Sequence, residues 1–260
     1  MSVVIVIPAR YGSTRFPGKP LAKIQGKELL YRTWLIAKAV KKVDEVWVAT
    51  DDDRISRQAL GFGAQVLMTS ENCINGSERV YQAIQSLENP PEIVINLQGD
   101  AVLTPPWVIQ AVLDNIQNHS DVQIATPATL LSRDQYEEYV RLKASGRTSG
   151  TLVVFDLQFN ALYFSKGLIP CVREWKGESV PVYRHIGLYA YRYGALKAFT
   201  QLKPTPLEDT EKLEQLRALE NGIPIRVVPV DYRGRTHWSI DHFEDIAIAE
   251  SIIRREGELV

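Results

Sequence analysis

The sequence predicts an α/β protein with a mostly parallel central sheet covered by helices on both faces. Short apolar runs alternate with helical segments through the first half of the chain, which is typical of strand–helix–strand units. Several runs, such as 93–97, are continuously apolar, as expected for strands that are buried on both faces. A loop rich in glycine and cations follows the first strand, where proteins of this class hold phosphates.

The period of the apolar residues assigns the elements in order. In the first half we predict strands at 3–7, 45–50, 65–68 and 93–97, each followed by a helix, at 28–41, 53–60, 77–87 and 105–118. In the second half we predict a mixed-sheet excursion, with strands at 122–126, 151–155, 161–164 and 186–191, a helix at 206–220, a return strand at 225–229 and a final helix near 243–255. We expect a single domain over 1–260, with 143–150 as its most mobile loop.

Composition excludes several classes of protein. A net charge of −1 over 260 residues, without a basic block, argues against a nucleic-acid surface or a polybasic membrane anchor. Apolar runs fall short of the roughly 20 residues that span a bilayer, and the N-terminus shows no signal-peptide pattern, so a cytoplasmic protein is expected. Cys73 and Cys171 lack metal-type spacing and are interpreted as structural or incidental thiols.

The opening loop is the strongest local signal. It runs Ile7-Pro8-Ala9-Arg10-Tyr11-Gly12-Ser13-Thr14-Arg15-Phe16-Pro17-Gly18-Lys19-Pro20. Its glycines let backbone N–H groups approach an anion, Ser13 and Thr14 add donors, and Arg10, Arg15 and Lys19 supply the charge that a triphosphate needs. It is not a P-loop, because five residues separate the two glycines and Pro20 replaces the magnesium-binding hydroxyl. A solvated surface loop is the alternative.

Two aspartates occupy strand-to-helix edges. Asp100 directly follows the strand at 93–97, and a carboxylate there can hold Mg²⁺ against nucleotide phosphates, although an ordinary turn would also explain it. Asp241 precedes the last helix, and local physics alone favours a capping box with Glu244.

Three further motifs have two interpretations each. The run Asp51-Asp52-Asp53 is either a metal site of the kind found in glycosyltransferases or, as we favour, the cap of the following helix. The motif Asn75-Gly76-Ser77-Glu78-Arg79 opens a helix and offers hydrogen-bonding groups and a cation, but a capped surface helix would explain it equally. His185 begins a half-buried strand, where a core histidine is the more common outcome.

Taken together and in order, these motifs resemble the sugar cytidylyltransferases, most closely the 3-deoxy-manno-octulosonate (Kdo) cytidylyltransferases. Besides the opening loop, the resemblance rests on Val48-Ala49-Thr50-Asp51-Asp52, Asn75-Gly76-Ser77-Glu78-Arg79, Asn96-Leu97-Gln98-Gly99-Asp100, Ala161-Leu162-Tyr163-Phe164-Ser165, Arg184-His185-Ile186-Gly187-Leu188-Tyr189 and Leu213-Glu214-Gln215-Leu216-Arg217. It implies a Rossmann-like nucleotide-diphospho-sugar transferase fold and Mg²⁺-dependent transfer of CMP from CTP to the anomeric 2-hydroxyl of Kdo or its 8-amino-3,8-dideoxy form. The resemblance further implies that pyrophosphate is released, that the product serves lipopolysaccharide biosynthesis and that the enzyme is a homodimer.

The resemblance also implies roles for individual residues. Lys19, Asp100 and Asp241 are expected to be catalytic, with the two aspartates as metal ligands. The nucleotide is expected to contact Pro8, Ala9, Arg10, Arg15, Lys19, Asn75, Gly76, Ser77 and Arg79. The sugar is expected to contact Gln98, Lys166, His185, Tyr189, Glu214 and Gln215. The chain divides accordingly into a nucleotide-binding half at 1–120, a sugar-binding and dimerisation excursion at 121–222 and a return to the core at 223–260.

Departures from the family pattern concern the sugar side. Ala101 replaces a glutamate beside Asp100, Lys166 replaces an arginine, and Leu152 replaces a lysine. Because these changes alter charge and hydrogen bonding, they predict a preference for the 8-amino sugar over plain Kdo.

Other readings of the sequence stay open. A cytidylyltransferase for another acidic sugar such as a sialate, a glycosyltransferase using 51–53, and a binding module without catalysis are the alternatives. For the dimer, exposed aromatic residues of the second half, such as Trp175, Tyr183 and Tyr191, are the expected contacts.

Overall fold

The structure is a computed structural model, and it describes residues 1–12, 15–146, 150–175, 177 and 180–260. Its strands are β1 (Val3–Ala9), β2 (Lys23–Ile24), β3 (Lys27–Glu28), β4 (Glu45–Thr50), β5 (Gln65–Met68), β6 (Ile93–Leu97), β7 (Ile124–Leu130), β8 (Thr151–Phe155), β9 (Ala161–Ser165), β10 (Tyr183–His185), β11 (Leu188–Arg192) and β12 (Arg226–Pro229). Its helices are α1 (Leu29–Lys38), α2 (Asp53–Gly61), α3 (Gly76–Gln85), α4 (Pro106–Asn118), α5 (Arg133–Ala144), α6 (Tyr193–Thr200), α7 (Pro206–Glu211), α8 (Leu216–Glu220) and α9 (Asp245–Glu256).

Most of the described strands form one mixed sheet. Its order is β5-β4-β1-β6-β11-β7-β10-β8-β9, with β12 paired to β7. The strands β5, β4, β1 and β6 are parallel, and the sheet becomes mixed where β11 joins β6 in antiparallel register. The α/β fold and the mixed second half are therefore confirmed.

The sheet is buried on both faces, as the continuously apolar strands predict. Within β1, Val3, Ile5 and Ile7 pack into one apolar cluster, whereas Val4 and Val6 pack into another on the opposite face. This alternation follows from the two-residue period of a strand. The parallel strands end at the edge that carries the opening loop, so the core fixes where that loop emerges.

The predicted strand at 186–191 is wrong in its bounds, because the strand formed there is β11 at 188–192, and the preceding β10 was not predicted. The chain forms β10 between β7 and β8, and then β11 between β6 and β7. The break at Ile186 and Gly187 carries the chain from one side of β7 to the other. The two strands on either side of this break therefore lie in different places in the sheet.

The predicted helix at 206–220 is also interrupted. Lys212 has a left-handed backbone, with φ of 52°, so α7 ends there and α8 begins four residues later. The break turns Glu214 and Gln215 toward a cleft, where an uninterrupted helix would place them differently.

Helices α5 and α6 and the small β2–β3 hairpin were not predicted. Helix α5 buries only Tyr139, so it lacks the apolar stripe by which helices are recognised. Its start is nonetheless marked by a capping box between Ser132 and Gln135. The predicted mobile loop at 143–150 overlaps the end of α5, and its residues 147–149 lie outside the described residues.

The expected dimer contacts are only partly available. Tyr191 is 3% exposed and packs near Phe199, so its expected exposure is wrong. Trp175 and Tyr183 are half-buried, beside the rings of Tyr136 and Phe155 respectively.

Within the described ranges, no helix is long and apolar enough to cross a membrane.

Candidate active site

The opening loop folds back onto the protein. The Gly18 N–H donates to the Tyr11 carbonyl (2.9 Å), and Gly18 adopts φ of +71° so that its backbone passes against the Tyr11 ring. That ring lies under the Arg54 guanidinium, 3.3 Å from the ring centroid. The short 3₁₀ turn Lys19–Leu21 follows and directs Lys19 inward. Ser13 and Thr14, the predicted hydroxyl donors, lie outside the described residues.

Lys19 joins three distant segments of the chain. Its Nζ lies 2.6 Å from Asp100 Oδ2 and donates to the Ile240 carbonyl at 2.8 Å. Next to it, Arg15 Nη1 lies 3.1 Å from Asp241 Oδ1. The structure thus brings the three predicted catalytic residues, Lys19, Asp100 and Asp241, into one cluster with Arg15.

The turn that carries Asp100 is held from two sides. The Thr33 hydroxyl donates to the Gly99 carbonyl (3.0 Å), and Thr33 is fully buried. A Cβ added at Gly99 would lie 3.0 Å from the Pro8 carbonyl oxygen, so only glycine fits comfortably against the end of β1. Packing of the strand ends therefore sets the position of Asp100.

Asp241 is not a helix cap. Helix α9 begins at Asp245 with Glu244 as its N-cap, so the capping box between Asp241 and Glu244 is wrong. Instead, Asp245 Oδ2 accepts the backbone N–H groups of Asp241 and His242, each at 2.8 Å. The carboxylate of Asp241 is left to pair with Arg15.

The oxygen atoms of this cluster suit a hard cation. Lys19 Nζ already contacts both Asp100 Oδ2 and the Ile240 carbonyl, so oxygen donors from the two segments converge on one positive charge. Mg²⁺ favours one or two carboxylates completed by phosphate oxygens and water. The described residues contain no group of three or more His, Cys, Asp or Glu side chains suited to a metal. Asp100 and Asp241 stay the predicted protein ligands, with a nucleotide expected to supply the others.

The Asp51-Asp52-Asp53 run serves structure. Asp52 caps α2, with its Oδ1 accepting the Arg54 N–H at 2.9 Å, and the hydrogen bond from the Arg54 side chain lowers the pKa of Asp52. Asp51 Oδ2 lies 2.7 Å from Arg79 Nη2. The cap is confirmed, and the competing metal site would have to displace Arg54 and Arg79 from these carboxylates.

Arg79 is placed differently from the expectation. It is 3% exposed, and besides pairing with Asp51 it donates to Thr69 Oγ1 at 2.6 Å. This buried network supports the start of α3, so a direct contact between Arg79 and the nucleotide stays a prediction.

The start of α3 faces the strand ends. Asn75 caps the helix by accepting the Glu78 N–H (2.8 Å). A Cβ at Gly76 would lie 3.1 Å from Gln98 Nε2 and 3.5 Å from Pro8 Cγ, so this glycine lets the helix approach β1 and β6 closely. The predicted residues Pro8, Gly76 and Gln98 are therefore neighbours. Ala9 is buried at the end of β1 and Arg10 is exposed immediately after it.

A cleft of about 1100 Å³ opens beside this cluster. Its walls include ten of the predicted residues: Arg15, Gly76, Ser77, Gln98, Lys166, His185, Tyr189, Glu214, Gln215 and Asp241. Nucleotide-side and sugar-side predictions thus share one cavity, and the cation–carboxylate cluster meets it through Arg15 and Asp241.

His185 is a neutral wall residue. The Thr126 hydroxyl donates to the Leu188 carbonyl (2.7 Å), so His185 Nε2–H donates to Thr126 Oγ1 (2.9 Å). His185 is 8% exposed, and burial lowers its pKa to about 3. Burial likewise raises the pKa values of Tyr189 and Glu214. His185 therefore gives this part of the wall a neutral hydrogen-bonding ring.

Sequence reasoning missed two parts of the cleft. One is α5, which contributes Gln135, Glu138, Tyr139 and Leu142. The other is the segment before Asp241, with Arg235, Thr236, His237 and Trp238. The capping box at Ser132 signals the helix, but nothing in the sequence signals which cavity the helix lines.

The edge formed by the ends of the parallel strands carries a cationic loop and two aspartates beside a large cleft. This combination defines an α/β nucleotidyltransferase. The family model described as cytidylyltransferase matches residues 4–227, and the chain belongs to this family. The resemblance drawn from the motifs is thereby confirmed.

Individual relatives agree with this assignment. The chain is 53% identical over 260 residues to the 3-deoxy-manno-octulosonate cytidylyltransferase of Maricaulis maris, covering 100% of both chains. It is 39% identical over 254 residues to the 8-amino-3,8-dideoxy-manno-octulosonate cytidylyltransferase of Shewanella sediminis, covering 96% of this chain and 98% of the relative. Among solved structures, CMP:2-keto-3-deoxy-manno-octonic acid synthetase complexed with CTP superimposes with a TM-score of 0.85 at 33% identity, covering 98% of this chain and 100% of that one.

Proposed function

We propose that this protein transfers CMP from CTP to the anomeric 2-hydroxyl of Kdo or of its 8-amino-3,8-dideoxy form and releases pyrophosphate. The observation that carries the proposal is the convergence of Lys19, Asp100 and Asp241 at the edge of the cleft that also holds the predicted sugar residues. The names of relatives that match the full length of the chain support the choice of nucleotide and sugar. The reaction is proposed to take place in the cytoplasm, for lipopolysaccharide biosynthesis.

The chemistry is an in-line displacement at phosphorus. The sugar hydroxyl oxygen bonds to the α-phosphorus of CTP, the bond to the β-phosphate oxygen breaks, and the hydroxyl proton passes to solvent. Arg10, Arg15 and Lys19 neutralise the triphosphate and stabilise the charge that develops on the leaving pyrophosphate. No covalent protein intermediate is required.

Asp100 and Asp241 would hold Mg²⁺. When bound, Mg²⁺ supplies charge that polarises the phosphoryl group and lowers the pKa of the attacking hydroxyl. Each aspartate now forms an ion pair with a cation of the opening loop, and Mg²⁺ would take the place of that cation. A triphosphate offers Arg15 and Lys19 an alternative partner and leaves the two carboxylates for the metal.

The sugar side favours an acidic polyol. Lys166 and Arg184 supply positive charge on the cleft wall, and His185 adds a neutral polar surface. Gln215 Nε2 is buried and has no hydrogen-bond partner among the described residues. A bound polyol would satisfy such a donor, and sites of this kind reject analogues that leave it unpaired.

Pyrophosphate release tests the proposal directly. We expect release only with CTP, an octulosonate and MgCl₂ present together, and not with EDTA, with UTP or with a sialate. Asp100→Asn and Asp241→Asn are each expected to lower turnover at least about a hundredfold while leaving the fold intact, because they remove charge from the metal site. A wild-type rate in either variant would remove that residue from the site. Turnover of a sialate instead would favour the alternative acidic-sugar enzyme.

The sugar preference needs its own comparison. We propose that the 8-amino sugar is used better than plain Kdo, on the basis of the departures at Ala101, Leu152 and Lys166. In the structure Leu152 is fully buried in an apolar cluster with Tyr139, so the position of the family lysine offers no charge to the cleft. Side-by-side kcat/KM values decide the matter, and a clear preference for Kdo would overturn this part while leaving the cytidylyltransferase standing.

We also propose that 1–260 is one domain that forms a homodimer through its second half. A single domain is supported by the continuous sheet, in which β6 of the first half pairs with β11 of the excursion. For the dimer, the turn between β8 and β9 and the edge strand β9 expose Leu157 (92%), Phe159 (44%) and Leu162 (62%). Sedimentation is expected to show a dimer, and a monomer from micromolar to nanomolar concentration would contradict it.

A further inference from the structure

The turn that carries Asp241 is organised by one side chain, that of Asp245. Asp245 Oδ2 accepts the backbone N–H groups of both Asp241 and His242 at 2.8 Å. Its Oδ1 accepts the indole N–H of Trp238 at 3.2 Å. The carboxylate therefore ties together the residues on both sides of Asp241.

These hydrogen bonds constrain the orientation of the Asp241 side chain. The backbone N–H of Asp241 is fixed by Asp245, and the preceding carbonyl, that of Ile240, accepts a hydrogen bond from Lys19. Because the peptide before Asp241 is held at its N–H and its carbonyl, and the peptide after it is held at the His242 N–H, Asp241 has little freedom to turn its Cα–Cβ bond away from the cluster. Asp100 is held comparably, through the hydrogen bond of Thr33 to Gly99.

We propose that Asp245 is a positioning residue that sets the affinity of Asp241 for the divalent cation. The inference rests on the proposed metal site of Asp100 and Asp241. Groups that orient metal ligands typically change metal affinity or activity by 10- to 100-fold when mutated. An asparagine at this position has one acceptor oxygen, so it cannot accept the two backbone N–H groups that converge on Oδ2 and also the Trp238 indole N–H that donates to Oδ1; its amide NH₂ would face one of these donors.

A purely structural role is the competing explanation. Asp245 is the first residue of α9, and an acidic residue there stabilises a helix through its dipole. Glu256, near the other end of α9, separates the two explanations. It holds the same segment by accepting the Thr236 N–H (2.9 Å) and hydroxyl (2.6 Å), but it does not touch the Asp241 turn.

The test measures CTP binding by calorimetry without sugar, so that no turnover occurs. For each variant, the Kd of CTP is measured in MgCl₂ and in EDTA. For Asp245→Asn we expect the Kd in MgCl₂ to rise about tenfold and the Kd in EDTA to stay the same. Asp245→Glu keeps the charge and both acceptor atoms and is expected to fall between the wild type and Asp245→Asn. Glu256→Gln is expected to lower thermal stability without changing either Kd.

The outcomes distinguish the proposed metal site from the proposed positioning role of Asp245. If Mg²⁺ does not tighten CTP binding to the wild type, the metal site itself is wrong. If Asp100→Asn loses the effect of Mg²⁺ but Asp245→Asn keeps it within twofold, the positioning role alone is overturned. An equal effect of Asp245→Asn in MgCl₂ and EDTA would likewise show that Asp245 only supports the fold. If Asp245→Asn does not fold, the same comparison on Asp245→Glu decides.

Discussion

His185 ties the stability of the protein to pH. It is 8% exposed, and burial lowers its pKa from 6.5 to about 3. In the unfolded chain the imidazole regains its ordinary pKa, so below pH 6.5 the unfolded state binds a proton that the folded state does not. The free energy of unfolding is therefore highest above pH 6.5 and falls as the pH decreases toward 3.

The size of the effect follows from the difference in pKa. Each pH unit between the two pKa values is worth about 1.4 kcal/mol, so lowering the pH from about 7.5 to about 5 costs about 2 kcal/mol through His185 alone. In a marginally stable domain this is a large share of the total.

The matched variant is His185→Gln. Glutamine stays neutral at every pH and can still donate to Thr126 Oγ1, so it removes the titration while keeping the hydrogen bond. Urea unfolding at the two pH values gives the loss for each protein. We expect the wild type to lose about 2 kcal/mol more than the variant. Burial also lowers the pKa of His237, and this largest cause is common to both proteins, although His185 itself adds to the lowering.

Equal losses would refute the reasoning, because they would mean that His185 is protonated in the folded state or is reached by solvent. A larger loss in the variant would reverse the sign and exclude a buried neutral imidazole.

Three further outcomes follow from the geometry. Arg10→Ala and Lys19→Ala are expected mainly to raise the KM for CTP, and an unchanged CTP dependence in initial rates would favour a solvated loop. Asp51→Ala leaves the buried Arg79 guanidinium without its carboxylate and is expected to lower the free energy of unfolding by about 3 kcal/mol. Asp52→Ala loses only the helix cap and is expected to lower it by about 1 kcal/mol. Similar urea midpoints for the two variants would contradict this. Gly150→Ala places a Cβ 2.3 Å from the Tyr139 hydroxyl, whereas the Cβ of Gly146→Ala, also at positive φ, meets open space. Calorimetry is therefore expected to show a larger loss of Tm for Gly150→Ala than for Gly146→Ala.

The first half of the fold could be predicted because local and tertiary signals agree there. Strands β4, β5 and β6 have the predicted bounds, since each is a short, mostly apolar run; β6 is buried throughout, whereas β5 is the partly exposed edge strand. In the second half, β10 was not predicted because it is three residues long and its sequence, Tyr183-Arg184-His185, is not an apolar run. It is a strand because it pairs on one side of β7 before β11 pairs on the other, which is a long-range property.

The cation–carboxylate cluster was predictable in part. The ends of β1 and β6 must lie at one edge of a parallel sheet, so Lys19 and Asp100 were expected to be near each other. Asp241 was harder, because the capping-box pattern pointed to a helix start three residues before the real N-cap at Glu244. The pattern failed because Asp245, rather than Asp241, accepts the exposed N–H groups of that turn.

The role of Arg79 shows what motif spacing leaves undetermined. A cation one turn into a helix beside glycine and serine is compatible with phosphate binding, and the resemblance assigns it to the nucleotide. In the structure its guanidinium is buried against Asp51, 28 residues earlier in the chain, and against Thr69. Asp51 follows β4 and Thr69 follows β5, so this network depends on the pairing of β4 with β5 in the sheet, which the local sequence does not specify. Arg79 therefore holds the segments after these two strands together, and a contact between its guanidinium and a phosphate would require the ion pair with Asp51 to open.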